Sequence, residues 1–266
     1  MIYKTLGPKG TFSEKALLEL APKDVQIIYE SSIEHVLKQM DGFYACVPIE
    51  NTLEGYIQQT LDGIYKEKLY IIDSVSLYVD FTLVGHIKNM SEIKRVYVQF
   101  ATKNQCLNFF NDFPNVKVIL THNNVESLSY LDSHQTGDAA IIPSHLKAQF
   151  KGFRKDGLAD QLDNQTRFVL LSKKPQFKKA HAYRLSCVIT PTEDRPGLLV
   201  DLLNVFKKEQ INLTSIMSRP TKKLMGTYHF FMEMDVSDFD LKKTNETLEG
   251  LKSSFEVFIF GLIPLM

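Results

Sequence analysis

The sequence has little that would point to a charged partner or a bound metal. Its 31 Lys and Arg residues balance 31 Asp and Glu residues, so the bulk charge favours neither nucleic acid nor an anionic membrane surface. It has only three cysteines, Cys46, Cys106 and Cys187, each in an apolar run, which predicts reduced core thiols in a cytoplasmic protein. His35 and His145 lie on predicted helical faces and His86 and His122 at predicted strand ends, without the clustered ligands of a metal site, so we expect no metal.

Long apolar segments are also missing. No run approaches the length of a membrane span, and the first residues lack the charged start and apolar region of a signal peptide, so we expect no membrane partner. What is present is 44% hydrophobic and 23% charged residues in a chain of 266, which predicts a globular protein of one large or two to three modest domains.

Strand and helix patterns alternate over the first 170 residues. Five or six βα units favour mostly parallel sheets, and a long extended segment at 74–84 separates two groups of them. This predicts two lobes with a cleft, lobe one at about 1–80 plus 160–175 and lobe two at 81–159. A continuous helix is predicted at 103–113, and another at 56–65.

Polar residues follow two predicted strands or turns. Glu50, Asn51 and Thr52 come directly after an apolar strand at 43–49, where open α/β sheets place their ligands, although a helix cap is an equal alternative. Thr11 and Glu14 have capping-box spacing behind a glycine-containing turn, as do Ser31 and Glu34 before a second helix. The turn before Thr11 could bind an anion, and a plain capped helix is the alternative.

A polar loop at 158–167 runs straight into the apolar strand 168–171. Such a loop presents side chains from a rigid base, and a capped loop before an edge strand is the alternative. Residues 172–181 contain four lysines and a proline and are predicted to be a linker. The remainder has the order βαββαβ, which predicts a ferredoxin-like module.

Four segments of the first 170 residues carry a family resemblance. Residues 7–13 look like the motif Gly-Pro-x-Gly-Thr-Phe-Ser, and residues 47–55 resemble Val-Pro-Ile-Glu-Asn-Ser with Thr52 for the usual Ser. Gln105-Cys106 sits where the family has a Gln-Cys pair, and residues 160–168 match Asp-x-x-x-Asn-x-Thr-Arg-Phe. Because these segments follow one another in the order of the family's motifs, the chain resembles prephenate dehydratases.

The C-terminal region is similar to the regulatory part of the same family, the ACT domain. Residues 195–199, 211–214 and 218–220 resemble its phenylalanine-sensing motifs. Met217 stands at the Glu position of the regulatory Glu-Ser-Arg-Pro, and Asn123-Asn124 replaces a Ser-Thr pair of the catalytic region.

The resemblance implies a fold and a reaction. The fold is α/β, with a two-lobed periplasmic-binding-protein-like catalytic domain at 1–175 and a ferredoxin-like (βαββαβ) ACT domain at 182–266. The reaction converts prephenate to phenylpyruvate in phenylalanine biosynthesis and needs no cofactor. The implied partners are prephenate, L-phenylalanine or another hydrophobic amino acid as effector, and further copies of the chain in a homodimer or homotetramer.

The resemblance also implies site residues. Thr166 would donate a hydrogen bond to the leaving oxygen, Arg167 would hold a substrate carboxylate, and Glu50 and Asn51 would complete the catalytic group. The implied substrate-binding residues are Thr11, Phe12, Ser13, Thr52, Asn123, Asn124, Asn164 and Phe168. The implied effector-binding residues are Gly197, Leu198, Leu199, Asn212, Leu213, Met217, Ser218 and Arg219.

Two alternatives from other classes stay open. A two-lobed α/β region could merely capture a dianion as a solute-binding protein, although the first residues do not show the pattern expected of a signal peptide. The chain could also be an inactive amino-acid sensor, although its Thr166-Arg167-Phe168 motif is intact.

Overall fold

The computed structural model describes residues 1–133, 135–193, 195–221 and 227–265. These residues form two compact units. Unit 1 consists of Met1–Val36, Cys46–Ile57 and Val75–Phe168, and unit 2 of Leu37–Ala45, Gln58–Ser74 and Val169–Met266. The domain boundaries near 175 and 182 stay a prediction, because the units group two early segments with the end of the chain.

The elements up to residue 104 are β1 (Ile2–Leu6), α1 (Phe12–Leu20), β2 (Gln26–Glu30), α2 (Ile33–Leu37), β3 (Phe43–Asn51), β4 (Gly55–Tyr56), α3 (Gln58–Glu67), β5 (Tyr70–Tyr78), β6 (Phe81–Gly85), β7 (Arg95–Gln99) and α4 (Phe100–Asn104). Those up to residue 172 are α5 (Leu107–Asp112), β8 (Lys117–Thr121), α6 (Asn124–Ser129), β9 (Asp138–Pro143), β10 (Phe153–Lys155) and β11 (Gln165–Ser172), with 3-10 turns at Met90–Glu92, Tyr130–Ser133 and Ser144–Gln149. The last are β12 (Ala182–Pro191), α7 (Leu198–Lys208), β13 (Leu213–Pro220), β14 (Tyr228–Ser237), α8 (Leu241–Leu251) and β15 (Phe255–Pro264).

The start of α1 follows the predicted capping pattern. The Thr11 hydroxyl oxygen accepts a hydrogen bond from the Glu14 amide at 3.2 Å, and the Glu14 carboxylate accepts one from the Gly10 amide at 2.5 Å. These contacts satisfy donors that the first turn leaves without intrahelical partners. The second cap is one residue away from its predicted place, because Ser32, not Ser31, accepts from the His35 amide.

Two predicted element boundaries near the segment 47–55 are wrong. Glu50 and Asn51 lie inside β3, and they pair antiparallel with Tyr56 and Gly55 in a hairpin. The following helix therefore begins at Gln58 instead of Tyr56. The predicted long strand at 74–84 is also split, because β5 ends at Tyr78 and β6 begins at Phe81.

Unit 1 contains a five-stranded sheet in the order β10-β6-β9-β7-β8. Strand β7 runs parallel to β8 and β9, whereas β6 runs antiparallel to β9 and β10. The expectation of a mostly parallel sheet is therefore wrong here, since apolar periodicity carries no strand direction. Alternate residues enter separate core clusters, with Val96 and Val98 in one and Tyr97 in the other, so both faces of the sheet are covered.

The predicted helix at 103–113 is interrupted. Helix α4 ends at Asn104 and α5 starts at Leu107, with Gln105 and Cys106 between them. The Asp160 carboxylate accepts hydrogen bonds from the Leu107 and Asn108 amides at 2.6 and 3.0 Å, which caps α5 from a distant loop. The sequence pattern missed this break because the cap is not local.

Unit 2 confirms the predicted βαββαβ order. Strands β13, β14, β12 and β15 lie side by side in that order and pair antiparallel. Buried side chains of α7 and α8, among them Leu202, Phe206 and Leu248, pack on one face of this sheet. Strand β5 continues the sheet beside β15, with Ile71 paired to Gly261.

The predicted linker is anchored inside unit 2. The Lys173 ammonium donates to the Glu67 carbonyl at 2.6 Å, and Lys178 forms an ion pair with Asp73. Phe177 stacks on Tyr183. Among the described residues, no helix is long and apolar enough to cross a membrane, and no cluster of His, Cys, Asp and Glu could hold a metal ion.

Candidate active site

A cavity of about 290 Å³ lies within unit 1. Its polar lining residues are Ser13, Asn51, Glu54, Gln99, Thr102, Gln105, Asn124, Asn164 and Thr166, and its apolar ones are Phe12, Pro48, Leu53, Ile57, Val79, Phe81, Ala101 and Phe168. An apolar cavity with several convergent polar groups is typical of a small-molecule site.

Strand alternation decides which residues of the Thr-Arg-Phe motif face this cavity. Successive side chains of a strand point to opposite faces, so Thr166 and Phe168 share one face of β11 and Arg167 takes the other. Thr166 and Phe168 line the cavity, and Arg167 does not. The motif is therefore split between two sides of the sheet.

The Asn51 amide organises the polar end of the cavity. Its nitrogen donates to the Asn164 side-chain oxygen at 2.7 Å and to the Thr166 hydroxyl oxygen at 2.9 Å. Its oxygen accepts from the amides of Leu53 and Glu54 at 2.9 and 3.2 Å, which fixes the orientation of the side chain. Among the described residues, nothing accepts the Thr166 hydroxyl proton, so this proton can point into the cavity.

Two further amides are oriented by their neighbours. The Asn164 nitrogen donates to the Gln105 side-chain oxygen at 3.1 Å, and the Thr102 hydroxyl donates to the Asn124 side-chain oxygen at 2.8 Å. The oxygens of Gln105 and Asn124 are engaged in this way, and among the described residues no acceptor engages their nitrogens, so these can donate to a ligand.

Arg167 forms a pair with Glu50 instead of facing the cavity. The guanidinium is 7% exposed and lies 3.0 Å from the Glu50 carboxylate, and it also donates to the Tyr56 hydroxyl at 3.3 Å. These contacts join β11 to the β3–β4 hairpin. The role of Arg167 in holding a substrate carboxylate stays a prediction, and in this arrangement one guanidinium nitrogen is paired with the Glu50 carboxylate.

Three other predicted substrate contacts also lie outside the cavity lining. Thr11 caps α1, and Asn123 caps α6 by accepting from the Glu126 amide at 2.8 Å. Thr52 accepts from the Gln165 amide at 3.0 Å and ties the hairpin to the start of β11. The structure thus brings Phe12, Ser13, Asn51, Asn124, Asn164, Thr166 and Phe168 together and places Thr11, Glu50, Thr52, Asn123 and Arg167 around them.

The sequence did not single out four polar residues of the cavity, namely Glu54, Gln99, Thr102 and Gln105. Glu54 and Gln105 lie inside segments that carried the family resemblance, so a closer use of those motifs could have found them. Gln99 and Thr102 have no comparable signal, because they reach the cavity only through the turn from β7 into α4.

The charges of the cavity are unusual for a site that would take a dianion. Glu54 is a carboxylate, and neither Lys nor Arg occurs among the described lining residues. Beside the cavity, burial lowers the pKa of His145, whose ring lies 5.1 Å from Phe12 and 3.1 Å from the Gly10 carbonyl. Burial also raises the pKa of the Cys106 thiol to about 12, which excludes it as a nucleophile at neutral pH.

The predicted effector residues lie in unit 2. Gly197 has φ +81 and precedes α7, where Leu198 is buried and Leu199 is 37% exposed. Asn212 directly precedes β13, which holds the others, Leu213, Met217, Ser218 and Arg219. Strand β13 is at the edge of its sheet. The effector site is expected to lie between two chains, and this remains a prediction.

The folds of the two units and the polar cavity define an α/β enzyme that carries a ferredoxin-like regulatory module. The chain belongs to the prephenate dehydratase family. The family model described as prephenate dehydratase matches residues 3–176, and the ACT domain model matches residues 192–252. The predicted fold class, a periplasmic-binding-protein-like catalytic region with a C-terminal ACT domain, is confirmed.

Individual relatives agree with this assignment. The chain is 32% identical to a prephenate dehydratase of Methanocaldococcus jannaschii over 94% of this chain and 91% of that protein. The structure of the prephenate dehydratase from Staphylococcus aureus has a TM-score of 0.85 at 30% identity and covers 99% of this chain and 100% of its own. The Arthrobacter aurescens enzyme, solved in complex with L-Phe, has a TM-score of 0.82 at 27% identity over 100% of this chain and 90% of its own.

Proposed function

We propose that this chain converts prephenate to phenylpyruvate in phenylalanine biosynthesis. The ring carboxylate leaves as carbon dioxide, and its bonding electrons enter the ring as the carbon–oxygen bond breaks. The departing hydroxide takes one proton and leaves as water, so the products are phenylpyruvate, carbon dioxide and water. The observation that carries the proposal is the hydrogen bond from the Asn51 amide to the Thr166 hydroxyl oxygen.

Thr166 is the proposed donor to the leaving oxygen. Because its oxygen accepts from Asn51, its own proton is directed away from that amide and toward the cavity. A threonine hydroxyl is too weakly acidic to act alone as a general acid, so it donates a hydrogen bond and passes on a proton from water. A positioned proton transfer of this kind contributes about 10²–10⁴-fold to a rate.

The cavity supports a binding mode that uses neutral donors. The nitrogens of Gln105 and Asn124 and the hydroxyl of Ser13 are the proposed contacts to the substrate carboxylates. A cation next to the ring carboxylate would stabilise the ground state more than the transition state, in which this charge disappears. Neutral donors avoid that cost. Arg167 and Glu50 are accordingly proposed to position β11 and the hairpin.

Regulation and assembly complete the proposal. L-phenylalanine or another hydrophobic amino acid is the proposed effector at the ACT domain. A homodimer or homotetramer is supported by exposed apolar side chains on α7, with Val200 60% and Leu203 36% exposed, and by the edge strand β13 with Ile216 43% exposed. The cytoplasm is the proposed location, supported by three buried free cysteines.

The test is a direct assay. Purified protein is mixed with prephenate and the appearance of phenylpyruvate is followed by absorbance, with Thr166→Val as the key variant and Thr166→Ser as its control. We expect kcat to fall by about 10²–10⁴-fold in the valine variant, with little change in KM, and serine to keep most of the activity. A valine variant that changed only KM would make Thr166 a binding residue.

The same assay separates the alternatives. A wild-type protein that binds prephenate in calorimetry without forming phenylpyruvate would be a binding protein. One that binds only amino acids would be a sensor.

A further inference from the structure

The arginine of the regulatory Ser-Arg-Pro motif is bound to a helix near the active-site hairpin. Arg219 donates to both carboxylate oxygens of Asp62, at 3.2 and 2.9 Å, and to the Gln58 side-chain oxygen at 2.7 Å. Arg219 and Asp62 are 15% and 25% exposed. A bidentate arginine–carboxylate contact that is largely shielded from water is both directional and stronger than a surface ion pair.

Helix α3, which carries Asp62 and Gln58, is fixed to the ACT sheet by further contacts. The Tyr65 ring lies 4.2 Å from the His229 ring of β14, and the Lys68 ammonium lies 4.7 Å from the Phe258 ring of β15. Helix α3 belongs to the same compact unit as the whole ACT region. The helix is therefore packed against the regulatory sheet.

The same helix continues directly from the hairpin that lines the cavity. Gln58 follows Ile57, and Ile57, Leu53 and Glu54 all line the cavity. The backbone amides of Leu53 and Glu54 hold the Asn51 side chain, and that side chain orients Thr166. The start of α3 is thus connected through the chain itself to the group that orients the proposed catalytic hydroxyl.

We propose that the ion pair of Arg219 with Asp62, together with Gln58, is the contact through which effector binding at the ACT domain changes the activity of the dehydratase site. The inference rests on the proposed function. An effector held by Met217 and Ser218 would contact the two residues that precede Arg219 in β13, and so would act directly on the strand that carries this arginine. For the pair to carry the signal, its strength must differ between the effector-bound and effector-free states.

Asp62→Asn is the variant that tests this. It keeps the size of the side chain and one acceptor oxygen and removes the charge, and Asp62 is part of neither the proposed catalytic group nor the proposed effector site. We measure prephenate turnover at increasing L-phenylalanine and, on the same samples, phenylalanine binding by calorimetry. The basal kcat and KM are expected to stay within about twofold. Phenylalanine binding is expected to persist, and its effect on activity is expected to shrink by at least about fivefold.

Two further variants control for unspecific effects. Asp73→Asn removes another ion pair within unit 2, the one with Lys178, and is expected to leave the response to phenylalanine unchanged. The double variant Asp62→Arg, Arg219→Asp restores opposite charges, and recovery of part of the response would support a direct role of the pair.

The outcomes are distinguishable. A responsive wild type with an equally responsive Asp62→Asn variant overturns this inference and leaves the proposed function intact. A wild type that turns over prephenate and ignores hydrophobic amino acids overturns both the proposed regulation and the inference. A wild type without turnover contradicts the proposed catalytic function itself.

Discussion

Arg167 is the middle residue of the Thr-Arg-Phe motif on β11, and its guanidinium pairs with Glu50 while Thr166 and Phe168 line the cavity. The motif identifies a threonine, an arginine and a phenylalanine in succession, and a polar loop continuing through residue 167 would let all three reach one pocket. Strand β11 instead begins at Gln165, and its alternation sends the arginine to the opposite face. The residues of the motif could be predicted from the sequence. The face of the strand to which each side chain points could not, because it depends on where strand β11 begins.

Arg167→Leu tests the positioning role of this residue. Removing the guanidinium leaves the Glu50 carboxylate and the Tyr56 hydroxyl without this partner. Breaking a fully buried ion pair costs about 3–5 kcal/mol, and the cost here is smaller because the Glu50 side chain is 35% exposed and water can solvate its carboxylate. We therefore expect a clear loss in the free energy of unfolding, measured by urea denaturation, together with a lower kcat because the hairpin and β11 shift.

Glu50→Gln is the matched control, because it keeps the hydrogen bond while removing the partly exposed charge. It should also cost stability, because the 7% exposed guanidinium loses this charged partner while the hydrogen bond remains. An Arg167→Leu protein that unfolds like wild type and shows only a raised KM would contradict the positioning role and return the arginine to substrate binding.

At the scale of elements, a helix or strand could be predicted correctly where the residues that determine it lie within its own segment. The α1 cap could be predicted because Thr11 and Glu14 lie within one turn of each other, and the βαββαβ order because each element has its own periodicity. The break between α4 and α5 could not, because its cap, Asp160, is more than fifty residues away in sequence. A hydrogen bond from a residue distant in sequence does not alter the apolar periodicity of the segment that it caps.

The Asp160 cap leads to a prediction for this break. Replacement by alanine removes the acceptor for the Leu107 and Asn108 amides, and loss of such a cap costs about 0.5–2 kcal/mol. The Asp160 amide, which donates to the Gln105 carbonyl at 2.8 Å, is kept in this variant, but the neighbouring start of α5 loses its cap. We therefore expect the Gln105 side chain to be held less firmly and KM for prephenate to rise. Urea denaturation and steady-state kinetics measure the two effects.

Asp163→Ala is the control for this experiment. Its carboxylate lies in the same loop, and a surface substitution of this kind is expected to change stability by no more than about 0.5 kcal/mol. Equal effects of the two alanine variants would mean that the loop as a whole, and not the cap, supports α5.

At the scale of the whole molecule, the order of motifs identified the family, but the grouping of segments could not be derived from that order. A sequence boundary near 175 separates two family regions, and yet residues 37–45 and 58–74 belong to the same compact unit as the ACT region. The reason is that α3 and β5 pack against strands near the C-terminal end of the sequence. Tyr65 contacts His229, and Ile71 pairs with Gly261. Only the folded chain brings these residues together.

This grouping predicts how a shortened chain behaves. A fragment of residues 1–176 keeps the whole cavity lining and loses the sheet against which α3 packs, as well as the strand beside β5. The exposed strand edge and the uncovered aromatic side chains favour aggregation. We therefore expect the fragment to melt at a lower temperature than the full chain and to self-associate in size-exclusion chromatography. A fragment that is monomeric and melts like the full chain would mean that the first 176 residues fold independently, and that α3 needs the regulatory sheet for signalling only.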